Sequence, residues 1–135
     1  MTSSIPARIT FVALALGTIA LGLVVHYHGQ AALSAGVRDV LGDALWAAMI
    51  GWWIGAVAPG TALWRRGLAA LAVSVAVELS QLYHAPGLDA VRQTQVGRLV
   101  LGSDFDWRDL AAYALGVVAT VGLERGLRRR PAGAS

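Results

Sequence analysis

The sequence contains no cysteine and no lysine, and charged residues make up only 14% of its 135 residues. The absence of cysteine excludes disulfide bonds, thiolate nucleophiles and iron–sulfur clusters. Arginine is the only strong base that remains. The charged fraction lies well below the roughly 25% that is typical of soluble domains. A chain of this length forms one domain, and its composition differs from that of the usual soluble class.

Four apolar stretches account for the 56% hydrophobic content: residues 9–25, 40–58, 68–83 and 107–123. Each is about 16–19 residues long, close to the length that crosses an apolar core of about 30 Å. In a soluble bundle, four such helices would expose too much hydrophobic surface. The sequence therefore predicts an all-α membrane protein with four transmembrane helices in one domain, residues 1–125. A basic, disordered tail is predicted for residues 126–135.

The arginines predict the orientation of these helices. With both termini inside, seven of the eleven basic residues lie on the inner side, at positions 8, 65, 66, 125 and 128–130. The other four, at positions 38, 92, 98 and 108, lie outside. The positive-inside rule therefore favours cytoplasmic N- and C-termini.

The connection between helices three and four, residues 84–106, is longer than the other two. It contains a short amphipathic stretch, residues 88–94, and then an apolar stretch, residues 97–102. This pattern is typical of a short segment that lies in the membrane interface or re-enters the bundle. We expect it to fold back over the outer end of helix three.

Glu78 lies inside the third apolar stretch, where an acidic residue costs about 2.5–3.5 kcal/mol. Gln81 follows on the same helical face, and the two residues together predict a polar pocket between helices. Because an unpaired carboxylate in hydrocarbon is costly, Arg92 from the connection is the predicted partner of Glu78. The alternative is a helix–helix hydrogen bond that only fixes packing.

Two further pairs are predicted to line the same pocket: Asp109 with Tyr113 on helix four, and Asp43 with Trp46 on helix two. Gly116 permits a neighbouring helix to approach helix four closely. Asp109 has an alternative role in the first turn of a helix that begins at Asp106. Asp43 and Trp46 are alternatively a helix-start acid and an aromatic-belt residue. The predicted ligand-binding residues are Asp43, Trp46, Glu78, Gln81, Arg92, Asp109 and Tyr113.

Other kinds of site find little support in the sequence. The histidines at positions 26, 28 and 84 include no pair four residues apart, so we predict no metal site and no other cofactor. No basic face with interleaved aromatic residues lies on a water-exposed element, so nucleic acid is not an expected partner. An enzyme is less expected than a binding protein, although Glu78 or Asp109 as a general base acting on lipid stays open.

Several motifs resemble the uncharacterised bacterial domain-of-unknown-function family two-eight-zero-nine, from Ile9 to about Leu123. They are Gly42-Asp43-x-Leu45-Trp46, Glu78-x-x-Gln81-Leu82-Tyr83-His84-Ala85-Pro86, Leu101-Gly102-x-x-Phe105 and Asp109-Leu110-x-x-Tyr113. Arg92 and Gly97 also fall where that family carries Arg and Gly. The resemblance implies a small integral membrane protein of the bacterial inner membrane, and it carries no established activity.

A more distant likeness is to the VanZ-like membrane proteins. Their pattern has a Glu-x-x-Gln helix, then an Arg, then an Asp-x-x-x-Asn-x-x-Gly helix. It is matched here by Glu78, Gln81, Arg92, Asp109 and Gly116. Tyr113 replaces the Asn, so no glycopeptide-related function is carried over.

Together these features predict an inner-membrane protein of the cell envelope whose polar pocket opens toward the periplasm. Its expected partner is a membrane lipid, through its headgroup, or a lipid-linked envelope precursor whose phosphate Arg92 would hold. One alternative is a small transporter or channel component that uses Glu78 as a proton or cation site. Four short helices suit that role best as an oligomer. The other alternative is a purely structural membrane protein.

Overall fold

The computed structural model describes residues 4–129, and within them the chain forms six α-helices and no strand. A turn of 3-10 helix, Gly29–Ala31, follows the first helix. The all-α prediction is confirmed. The helices are α1 (Ser4–His28), α2 (Ala35–Val57), α3 (Leu63–Ser80), α4 (Pro86–Gln93), α5 (Gln95–Leu101) and α6 (Trp107–Arg129).

Three helical segments within the described residues are long and apolar enough to cross a membrane. They are Ile5–Ala31, Ala35–Val57 and Trp107–Arg129, with mean hydropathies of 2.2, 1.5 and 1.3. Helix α3 is not among them, because its 18 residues include Arg65, Arg66 and Glu78. The chain is therefore compatible with a membrane protein that has three candidate spans. The fourth predicted span stays a prediction.

Helix α2 is central to the bundle and packs against α1, α3 and α6, while α3 also packs against α6. Small residues permit such contacts, as is usual where lipid removes the hydrophobic drive between helices. A Cβ atom on Gly116 of α6 would lie only 2.1 Å from the backbone oxygen of Ala44 in α2. The close approach predicted at Gly116 is confirmed, and it brings the polar residues of α2 and α6 together.

Apolar side chains cover much of the outside of this bundle. Leu16, Leu115 and Val118 are 54%, 61% and 68% exposed. The buried core is built instead from small, aromatic and a few polar residues, among them Ala47, Ala70 and Tyr113. Because exposing so large an apolar exterior to water is unfavourable, this surface suits a lipid environment.

Two helices extend beyond the predicted stretches at the same end of the bundle. Helix α3 begins at Leu63, so Arg65 and Arg66 are helical rather than part of a loop. Helix α6 continues to Arg129, so residues 126–129 of the predicted disordered tail are helical. Charged residues in these turns interrupt the apolar pattern before the backbone leaves the helix. Residues 130–135 of the predicted tail lie outside the described residues.

The connection between α3 and α6 folds into two short helices. The amphipathic stretch predicted at residues 88–94 forms α4, which has Pro86 in its first turn. Thr94 then caps α5, because its hydroxyl oxygen accepts a hydrogen bond from the Gly97 N–H at 3.0 Å. Gly102 ends α5 with a φ of 68°, a left-handed conformation that favours glycine. These turns carry the chain back toward the end of α3. The position of this connection relative to the membrane stays a prediction.

Candidate functional site

Glu78 is completely buried in α3, and both of its carboxylate oxygens accept hydrogen bonds. The Tyr113 hydroxyl on α6 donates to Oε2 at 2.7 Å, and the Gln81 amide donates to the same oxygen at 3.2 Å. The backbone N–H of Asp106 donates to Oε1 at 2.8 Å. Tyr113, which was predicted to line the same pocket as Glu78, therefore contacts it directly. Three donors thus replace the water that a buried carboxylate loses.

The predicted partnership of Arg92 with Glu78 is wrong. The Arg92 guanidinium donates instead to the backbone oxygens of Ser80 at 2.6 Å and Tyr83 at 2.8 Å. It also contacts the Asp89 carboxylate at 3.2 Å. The last carbonyl groups of a helix have no partner within the helix and carry partial negative charge. Arg92 therefore caps the end of α3, beyond Glu78.

Gln81 joins the buried carboxylate to the connection. Its amide nitrogen donates to Glu78 and also to the backbone oxygen of Leu101 at 3.0 Å. A Cβ atom on Gly102 would lie 2.4 Å from that nitrogen, so a side chain there would displace Gln81. The Gln81 side-chain oxygen is buried and lacks a hydrogen-bond partner among the described residues. Gln81 thus holds the end of α5 against α3.

Asp43 on α2 and Asp109 on α6 bring a second pair of acids to this end of the bundle. Their side chains lie close enough to share a hydrogen bond when one carboxyl group carries a proton, and both interact electrostatically with Glu78. Asp106, rather than Asp109, caps α6 by accepting from the Arg108 N–H at 2.9 Å. The predicted start of the helix at Asp106 is therefore confirmed, while the Asp109 side chain meets Asp43.

Trp46 completes the group on the α2 side. Its ring lies 5.9 Å from the Tyr113 ring, centroid to centroid, at an interplanar angle of 47°. The indole N–H of Trp46 is buried and has no hydrogen-bond partner among the described residues. The structure therefore brings six of the seven predicted residues together, and they form what we call the acid cluster: Asp43, Trp46, Glu78, Gln81, Asp109 and Tyr113.

An open groove lies on the connection, and Arg92 lines it together with four other residues. Its volume is about 370 Å³, and we call it the arginine groove; it is lined by Asp89, Arg92, Gln93, Arg98 and Ser103. Arg92 is only 5% exposed, and its Nε has no hydrogen-bond partner among the described residues. Arg98 is exposed and uses one nitrogen to donate to the Gln93 backbone oxygen at 3.2 Å. The exposed Arg98 therefore presents N–H donors to the groove that have no acceptor among the described residues.

The opposite end of the bundle holds a buried ion pair that the sequence reasoning missed. Arg66 of α3 pairs with Glu124 of α6, and the two are 2% and 6% exposed. Arg128 also donates to Glu124, at 2.7 Å and 3.1 Å. The missed signal was a four-residue spacing along α3, because each residue in the buried series Arg66, Ala70, Ser74 and Glu78 neighbours the next.

The Arg66 guanidinium is held by more than its carboxylate. It lies 4.7 Å above the Phe11 ring and donates through Nε to the Thr61 backbone oxygen at 3.3 Å. A cavity of only about 10 Å³ adjoins Arg66 and Glu124, about the volume that one water molecule needs. The second Glu124 oxygen is buried without a partner among the described residues. This cavity has no room for anything larger than water.

Comparison with known families agrees with the resemblance seen in the motifs. The model of one family, described as "Protein of unknown function (DUF2809)", matches residues 32–117. The match covers α2 to the middle of α6 and therefore both groups of polar residues on the connection side of the bundle. The more distant likeness to VanZ-like proteins stays a prediction. No solved structure matches the chain.

Proposed function

The chain belongs to the DUF2809 family of uncharacterised proteins, and from this premise we propose that it binds the headgroup of a membrane lipid in the arginine groove. The protein would do so as a multi-pass protein of the bacterial inner membrane, with both termini cytoplasmic. Helix α3 would be the fourth span, because α2 and α6 cover the side chains of Arg66 and Glu78. The α4–α5 connection would then lie at the periplasmic interface.

The arginine groove is the observation that carries this proposal. Amphipathic helices with arginine on the polar face suit the region of lipid headgroups. Helix α4 has this character, with Leu88 and Val91 as apolar residues and Arg92 buried at the groove. A groove of about 370 Å³ lies within the range of about 300–1,000 Å³ that is usual for small-molecule sites.

The geometry changes the roles that the sequence suggested. Both terminal nitrogens of Arg92 already donate to Ser80, Tyr83 and Asp89, and its Nε is buried. Arg98 keeps more free donors and becomes the main candidate for the lipid phosphate, since guanidinium groups recognise phosphate through paired N–H donors. Glu78 and Gln81 would act indirectly, because they hold the end of α5 in place.

Replacing Arg98 tests the proposal directly. We expect Arg98→Ala to lower the amount of lipid that co-purifies with the protein about tenfold, because a charge-assisted hydrogen bond contributes about 1.5–3 kcal/mol. Native mass spectrometry of the full chain, extracted in mild detergent, measures this amount. Arg108→Ala is the matched control, since Arg108 is an exposed arginine that stacks on Trp107 outside the groove. Equal lipid loss in both variants, or none in either, would contradict lipid binding in the groove.

A second candidate function rests on the acid cluster. Asp43, Glu78 and Asp109 lie together, and the described residues show no ion pair to any of the three. Such a site suits a proton or another small cation, as in a transporter or channel component. This function predicts that the protein carries protons or another small cation into proteoliposomes. Asp43→Asn should abolish this flux. Normal flux in that variant would exclude the cluster from transport. Glu78 itself already accepts three hydrogen bonds, which favours the structural role for that residue.

A further inference from the structure

The arginine groove has one net positive charge. Two guanidinium groups, those of Arg92 and Arg98, and the single carboxylate of Asp89 line it, while Gln93 and Ser103 are neutral. A ligand with one negative charge therefore matches the groove. A phosphodiester has that charge, whereas a phosphomonoester gains a second negative charge near neutral pH.

The carboxylate in the groove is already engaged. Asp89 accepts from Arg92 at 3.2 Å and contacts the His84 ring nitrogen, also at 3.2 Å. Both contacts use Oδ1, so a ligand ammonium group would share the carboxylate with the guanidinium. A headgroup amine would also add to the excess positive charge of the groove instead of neutralising it.

The remaining polar groups suit hydroxyl groups instead. The Ser103 hydroxyl and the Gln93 amide line the groove, and both can donate and accept hydrogen bonds. Neither carries charge. A headgroup with uncharged hydroxyls beyond its phosphate would meet groups of matching polarity at that position.

Building on the headgroup function proposed above, we propose that the groove selects a phosphodiester lipid whose headgroup is uncharged and bears hydroxyl groups. Phosphatidylglycerol has this chemistry. Arg98 would hold the phosphate, the Arg92 guanidinium would contribute its positive charge, and Ser103 and Gln93 would contact the glycerol hydroxyls. Ammonium-bearing and phosphomonoester lipids would bind less well.

Competition between lipids of defined headgroup tests this selectivity. The delipidated full chain is titrated in detergent with phosphatidylglycerol, phosphatidylethanolamine, phosphatidylcholine or phosphatidic acid, and binding is followed by native mass spectrometry. We expect phosphatidylglycerol to bind about tenfold more tightly than the other three, the factor that one charged contact supplies. Equal binding of all four lipids would overturn the selectivity but leave headgroup binding intact. Binding of none would overturn both.

Soluble phosphates separate a lipid site from a general anion site. Dimethyl phosphate supplies a phosphodiester without acyl chains, and inorganic phosphate supplies the anion alone. We expect neither to displace phosphatidylglycerol at equal concentration, because the acyl chains hold the lipid beside the groove. Displacement by either compound at equal concentration would make this a site for free phosphate and overturn the lipid assignment.

A charge-changing variant makes the test sharper. Asp89→Asn keeps the size of the side chain and an oxygen that can accept from Arg92, and it raises the net charge of the groove by one unit. We expect the preference to move about tenfold from phosphatidylglycerol toward phosphatidic acid. Asp104→Asn is the matched control, since Asp104 is exposed on the same connection and does not line the groove. An unchanged preference in Asp89→Asn, or an equal shift in both variants, would refute the charge-matching argument.

Discussion

The two ends of the α3–α6 interface each bury a carboxylate, and they satisfy it in different ways. At one end Glu78 of α3 accepts from a phenol, an amide and a backbone N–H. At the other end Glu124 of α6 pairs with two guanidinium groups. Twelve residues of helix, about 18 Å, separate Glu78 from Arg66 on α3. One end matches its buried acid with cations, whereas the other keeps acids that have no cationic partner among the described residues.

This difference distinguishes an end whose buried acid is held in an ion pair from an end whose acid cluster is not paired with a cation among the described residues. The Arg66–Glu124 pair is closed around a cavity of about 10 Å³ and balances its own charge. The acid cluster adds Asp43 and Asp109 to Glu78 without a paired cation in the part of the chain that the structure describes. Both the cluster and the arginine groove adjoin the α4–α5 connection. The end with the connection therefore holds the acids that no described cation neutralises.

Removing Glu124 should have the largest effect on stability. Glu124→Leu leaves the Arg66 guanidinium buried without its carboxylate, which costs about 3–5 kcal/mol of unfolding free energy in comparable buried pairs. Unfolding by a denaturing detergent, followed by circular dichroism, measures the loss. A loss below about 1 kcal/mol, the level of an exposed pair, would show that Arg66 finds another partner or reaches water.

The double variant Arg66→Met with Glu124→Leu shows whether the cost comes from the unpaired charge. Replacing both partners by apolar residues of similar volume is often neutral. We expect it to recover most of the stability that Glu124→Leu loses. A double variant as unstable as the single one would indicate that packing, and not the unpaired guanidinium, dominates this end.

Removing the Tyr113 hydroxyl should have an intermediate effect. Tyr113→Phe keeps the ring against Trp46 but leaves Glu78 with two donors, and a hydrogen bond to a charged acceptor contributes about 1.5–3 kcal/mol. The same unfolding assay measures the change. Tyr83→Phe is the matched control, because Tyr83 is 66% exposed at the end of α3. Equal effects of the two substitutions would mean that the Glu78 network does not depend on the phenol.

Much of the acid cluster could be predicted from the sequence because it depends on local spacing. Glu78 and Gln81 share a helical face, as do Asp109 and Tyr113, and α6 packs against both α2 and α3. The contact between Tyr113 and Glu78 needs only that α3 and α6 lie side by side. Spacing within a helix and adjacency of helices were sufficient there.

The contacts of Arg92 could not be predicted in the same way. They depend on how far α4 folds under the end of α3, and the backbone carbonyls of Ser80 and Tyr83 compete there with Glu78 for the guanidinium. Every residue has a backbone carbonyl group, so a sequence pattern does not show which of them accepts a hydrogen bond from a side chain. The Arg66–Glu124 pair was missed for a related reason, since charged residues in the end turns of α3 and α6 conceal where each helix ends.

Removing Arg128 should have the smallest effect on stability. The substitution distinguishes the contribution of Arg128 from that of Arg66, the other guanidinium group that contacts Glu124. The Arg128 side chain is 58% exposed, whereas the Arg66 side chain is 3% exposed. Solvent screens an exposed pair, so Arg128→Ala should lower the unfolding free energy by at most about 1 kcal/mol, and less at high salt. A loss as large as that of Glu124→Leu would mean that Arg66 alone does not neutralise the carboxylate. In that case the matched end of the bundle would depend on its surface as much as on its buried ion pair.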